Sequence, residues 1–175
     1  MKTFNLAKGI GISAGLLLMG LAAACGGGST VASDSYAHPT GAVIGNAVTL
    51  HYTVVGPASK LAKKGPDGKF HDSFFTADST NLKVGDTVTV VVSNYDDVPH
   101  GMVLDGGLAV SQMIPPAPSE GTASVTTFTF TASKAGTYRW YCPMPCDTDA
   151  AQWAMHAGIT GMGKEGFMAG TITVA

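Results

Sequence analysis

Two cysteines four positions apart stand in the block Tyr138-Arg139-Trp140-Tyr141-Cys142-Pro143-Met144-Pro145-Cys146, with His156, Met162 and Met168 downstream. Thiols this close either join in a disulfide or hold a metal. Pro143 and Pro145 stiffen the backbone between them, which works against disulfide geometry. Side chains alternate along a strand, so Tyr138, Trp140 and Cys142 share one face. Cys142 then falls at the inward end of an apolar strand, where the chain leaves the sheet. A thiolate placed there is shielded from water and braced by rings, as a soft, redox-active metal requires.

Such a centre needs nitrogen ligands as well. Asp96-Asp97-Val98-Pro99-His100-Gly101-Met102 puts His100 directly after a proline that fixes its own backbone and restricts Val98. A lone histidine is ordinarily structural; the rigid turn and the cysteine pair make His100 a ligand candidate. His156 is the second imidazole candidate, with His71 held in reserve, while His51 lies inside an early strand and reads as structural. Thiolate, imidazole and a weak axial thioether together suit both oxidation states of copper. Met162 and Met168 downstream are the two thioethers that could supply the axial donor. Met102, Met144 and Met155 read as packing, and Asp147 with Asp149 as a solvated loop face.

The elements that must position these groups are almost all β. Ala47 to Val55 is rich in Val, Thr and Tyr, and Gly65-Pro66-Asp67-Gly68 is a turn cluster. Leu82 to Asp86 turns into Thr87 to Ser93, where Val88, Val90 and Val92 share a face. Phe128 and Phe130 alternate with Thr127, Thr129 and Thr131, the pattern of a half-buried strand. Thr137 to Tyr141 and Gly170 to Val174 complete the set, and only Ala150 to His156 has room for a short helix. Short strands separated by turns predict one all-β domain, an antiparallel sandwich or barrel.

In order along the chain, Leu82-Lys83-Val84-Gly85-Asp86-Thr87-Val88-Thr89-Val90, Val98-Pro99-His100, Ala135-Gly136-Thr137-Tyr138, Trp140-Tyr141-Cys142 and Met168 to Val174 resemble the cupredoxins. The resemblance spans residues 46 to 175. It implies a Greek-key antiparallel β-sandwich with copper at one end, His100 and Cys142 as ligands and Met168 as the axial donor. It further implies a non-enzymatic one-electron carrier cycling between Cu(I) and Cu(II). The chain departs from that pattern in its ligand loop. His156 lies fourteen residues past Cys142, well beyond the few residues usual in blue-copper proteins. The Cys142–Cys146 spacing is instead similar to the binuclear copper centre of cytochrome oxidase subunit II, which makes Cys146 a ligand as well. Asp147 to Met155 is an insertion in either pattern, so one or two copper ions are expected. Copper storage or delivery to a membrane oxidase, and metal-free thiol redox chemistry, are the competing functions.

Upstream of the domain, Lys2 and Lys8 precede the apolar run Gly9 to Ala24, which ends Leu21-Ala22-Ala23-Ala24-Cys25-Gly26. This resembles a bacterial lipoprotein signal, with residues 1–24 removed, Cys25 lipidated and residues 25–45 a flexible tether. The expected location is therefore outside the cell or in the periplasm, held to the membrane by lipid and close to redox proteins of a respiratory chain. Losing Lys2 and Lys8 leaves eight basic against twelve acidic side chains, a net charge of about −4. That balance argues against nucleic acid as a partner. No phosphate loop, Ser-His-Asp grouping or catalytic carboxylate pair is legible.

Overall fold

A computed structural model describes residues 45–156 and 163–175 of the chain; Cys25, the rest of the tether as far as residue 44, and Met162 lie outside the described residues. The alternation of valine with threonine produces β6 (Thr87–Asn94), on which Val88, Val90 and Val92 are wholly buried. β1 (Ala47–Val55) turns Leu50, Tyr52 and Val54 to the same interior. β9 (Ser124–Thr131) turns in Phe128 and Phe130 and leaves Thr127, Thr129 and Thr131 exposed. With β4 (Ser73–Thr76) these strands form one sheet in the order β4-β1-β6-β9.

The facing sheet has the order β5-β11-β10-β7-β8. Its strands are β5 (Asn81–Leu82), β7 (His100–Leu104), β8 (Val110–Ile114), β10 (Gly136–Tyr141) and β11 (Ala169–Val174). Tyr138 and Trp140 point inward from β10 and Ile172 from β11. Tyr52, Phe74 and Trp140 meet edge-on or tilted across the core, at centroid distances of 4.8–5.6 Å. The sandwich expected from the sequence is present. Two of its pairings nevertheless run parallel: β1 with β6, from Ala47↔Thr87 to Val54↔Asn94, and β5 with β11. The sheets are therefore mixed, because the chain crosses between the β1–β4 hairpin and β6 instead of turning directly back.

Two turns read from the sequence have clear local causes. Gly85 adopts φ 95°, which strains any residue with a Cβ. Next to it the Asp86 carboxylate accepts the Lys83 and Asn46 amides, so the entry to β6 is fastened on both sides. The Gly65–Gly68 cluster closes the hairpin of β2 (Lys63–Lys64) and β3 (Phe70–His71), with the Gly68 amide on the Gly65 carbonyl. In place of a short α-helix, the ligand loop holds two 3₁₀ turns, η1 (Thr148–Ala150) and η2 (Trp153–Met155).

Candidate metal centre

β10 delivers Cys142 to the edge of the core one residue past Tyr141. There its amide donates to the Met168 carbonyl at 2.9 Å, and its thiol is fully buried. Across the sheet, β7 begins at His100, itself fully buried. The turn before it is pinned by buried Asn94, whose amide nitrogen donates to the carbonyls of Val98 and Pro115 while its oxygen accepts the Asp96 amide. The sequence reading missed Asn94 and Asp96. The Asp96 carboxylate lies 2.8 Å from His100 Nε2 and so turns Nδ1 toward the thiols.

His100 Nδ1 is 3.9 Å from Cys142 Sγ, and the two sulfurs are 3.6 Å apart and unbonded. The three ligand atoms lie within 4.8 Å of one another. The Gly101 amide donates to Cys142 Sγ at 3.4 Å, and Met155 Sδ is 3.0 Å from Cys146 Sγ. A tetrahedral ion with sulfur bonds of about 2.3 Å sets two sulfurs about 3.7 Å apart. The separation of the two thiols therefore suits a thiophilic metal, toward which His100 and Met155 would still have to adjust. One imidazole, two thiols and a thioether form a soft donor set, and burial keeps water from it.

Electrostatics prepare the same site. Burial disfavours the His100 imidazolium, but the Asp96 carboxylate and Cys142 sulfur outweigh it and raise its pKa to about 9. A hydrogen bond from Cys146 holds Cys142 well below the ordinary thiol range despite burial, with His100 assisting. Cys146 itself is pushed up by that same neighbour and by burial, and keeps its proton. Both shifts favour a thiolate beside an imidazolium in the metal-free pair, and a metal held by these groups would take the place of the proton on His100 Nδ1.

The remaining candidates are placed unequally. His156 follows η2 with its side chain exposed, and the structure does not bring it into the buried group. Successive side chains of a 3₁₀ turn fan out by roughly a third of a turn, and the inward direction is taken by Met155, which the sequence reading had assigned to packing. His71 is buried but unavailable as a ligand, since Asp67 and Asp147 occupy its two ring nitrogens. Asp147, expected on a solvated face, is 1% exposed, whereas Asp149 is exposed as expected. Met168 is wholly buried in the same core cluster as Cys142, Cys146 and Met155. His51 sits exposed on β1 against Asp78.

A mixed two-sheet sandwich thus sets a histidine at the head of β7 beside a cysteine one residue past the end of β10. The fold is a two-sheet β-sandwich of mixed strand direction. No family model matches the chain, and no curated protein matches it in sequence. Among solved structures it is similar to the copper protein rusticyanin, at 18% identity and a TM-score of 0.46 over 75% of this chain and 79% of that one. Reduced rusticyanin gives 19% identity and a TM-score of 0.44 over 75% and 81%.

Behind His100 the domain buries a second carboxylate. Asp72, Asp96 and His100 also come within 4.8 Å of one another. Burial, then the nearby Asp96 charge, raises Asp72 from 3.8 to about 7. A raised folded-state pKa means that the proton stabilises the fold: the contribution is complete below pH 3.8 and is lost as pH rises through about 7. Asp72→Asn keeps the oxygen that accepts the Asp147 amide and removes the charge. The metal-free variant should therefore melt a few degrees above wild type at pH 8, with the gap closing toward pH 4. Thermal melts across that range check it; a variant less stable at pH 8 contradicts the sign.

Proposed function

We propose that the chain binds copper through Cys142, Cys146 and His100 and carries single electrons, Cu(I) giving one up to become Cu(II). The supporting observation is the gathering of these three donors, with Met155 against Cys146, at the dry end of a sandwich fixed on both sides by sheet. Little has to move when the charge changes, and small reorganisation favours electron exchange over chemistry on a substrate. On this reading the protein is an electron carrier rather than an enzyme.

Copper storage or delivery is the second reading, supported by the two thiols and thioether, which favour Cu(I). Repeated reduction and reoxidation in the presence of an apo-acceptor separates the two. A carrier keeps its copper through many cycles, and a donor loses it to the acceptor.

Met155 and Met168 are rivals for the axial position. Met155→Leu should raise the reduction potential while copper stays bound, because losing a thioether disfavours Cu(II). Met168→Leu should produce that shift if the last strand supplies the donor, as the cupredoxin resemblance implies. Voltammetry of both variants assigns the ligand. His156→Ala should leave the spectrum unchanged, and a changed one would return His156 to the ligand set.

Cys25 is proposed to carry lipid and hold the domain at the outer face of the membrane, within reach of respiratory redox partners. Changing Cys25 to serine should move the protein into the soluble exported fraction. Unchanged fractionation would remove the anchor from the account.

A further inference from the structure

Cys146 and Met155, whose sulfurs touch, are nine residues apart in a loop without regular strand or α-helix. The backbone between them is strained. Asp147, Ala151 and Gln152 all hold left-handed conformations at φ 61°, 54° and 59°, although none is glycine. Such conformations persist only where the surroundings over-determine them. Here the fastening converges on one buried side chain. The Asp147 carboxylate accepts the Ala154 amide at 2.7 Å, the Asp72 amide at 3.1 Å and His71 Nδ1 at 3.1 Å. Its backbone amide donates back to Asp72, and its carbonyl accepts the Gln152 amide at 2.8 Å.

Asp147 directly follows Cys146, and Ala154 directly precedes Met155, so the carboxylate closes the loop one residue inside each sulfur. His71 in turn is held from its far side by Asp67 and clasped between the rings of Trp153 and Phe167, at centroid distances of 4.3 and 5.7 Å. We propose that Asp147, oriented by His71, is the positioning residue of the centre, setting the separation of Cys146 and Met155 before any metal arrives. The claim rests on the metal-binding reading for its consequences in the loaded protein, but the clamp itself belongs to the metal-free chain.

Asparagine at 147 cannot replace the carboxylate, because three donors converge there and an amide nitrogen facing any of them is another donor. In the metal-free chain, the reaction of Cys146 with a disulfide reagent such as DTNB, followed in a Cys25→Ser, Cys142→Ser background that leaves it the one thiol, reads loop opening. Asp147→Asn should accelerate it about tenfold or more, and His71→Asn should do so to a lesser degree. Val90→Ala, a truncation of the wholly buried core away from the loop, should lower global stability and leave the rate near its starting value. In copper-loaded protein with both cysteines intact, Asp147→Asn should also shift the reduction potential and the visible band. Equal Cys146 rates in wild type and Asp147→Asn, or acceleration no greater than in Val90→Ala, overturns the inference. A wild type that takes up no copper overturns the metal reading alone, and the thiol rates still decide on the clamp.

Discussion

Cys142→Ser is expected to abolish the visible absorption of the copper-loaded protein completely. Colour in a copper–thiolate centre is charge transfer from sulfur, and Cys142 is the buried, ionised sulfur here, paired with His100 and receiving the Gly101 amide. A serine hydroxyl at that place stays protonated and offers no soft donor. Cys146→Ser is the informative companion. Should both sulfurs bridge two ions, its loss lowers the copper content from about two to about one or none. Should the centre hold one ion with Cys146 outside its bonding sphere, colour survives. Metal analysis of the two variants beside wild type decides the count, and retained colour in Cys142→Ser rejects the site.

His100→Ala should damage both metal binding and the fold that precedes it. The imidazole is the one nitrogen donor in the gathered group, so copper affinity should fall severely. It is also the partner of Asp96, and both side chains are buried. Removing one member of a buried charged pair leaves the other uncompensated, at a cost of about 3–5 kcal/mol. The metal-free variant should therefore unfold at markedly lower denaturant than wild type. His100→Gln, able to keep a hydrogen bond to Asp96, should recover much of that stability while still binding copper poorly. Equal metal-free stability of wild type and His100→Ala would mean that the Asp96 contact contributes nothing.

How far these groups could be read from the sequence follows from the range of the forces that place them. The strands were legible because period-two burial is written locally, as in Val88-Val90-Val92 or Phe128-Phe130. The shared face of Tyr138, Trp140 and Cys142 follows from the same alternation. His100 was legible because proline fixes the turn before it. The parallel pairing of β1 with β6 was hidden, because antiparallel and parallel neighbours show the same alternation. The loop was hidden for a different reason. Its shape comes from Asp147 bonding to residues 75 and 76 positions away in the chain, which no local pattern records. Aspartates beside a cysteine ordinarily read as solvated surface, so burial of Asp147 and the inward turn of Met155 became visible only in three dimensions. His156 is left exposed, while Met155 just before it turns inward against Cys146.

Cys142, Cys146 and His100 are proposed to hold copper together in a redox-active centre. The most direct test is one visible and EPR spectrum of the full chain loaded with copper and freed of excess ion, with metal content measured on the same sample. The account predicts tightly held copper, an intense sulfur-to-copper band that bleaches on one-electron reduction and returns on oxidation, and a hyperfine pattern of one ion or of two sharing an unpaired electron. A colourless protein that loses its copper on desalting, or one recovered with Cys142 and Cys146 joined in a disulfide, would contradict it.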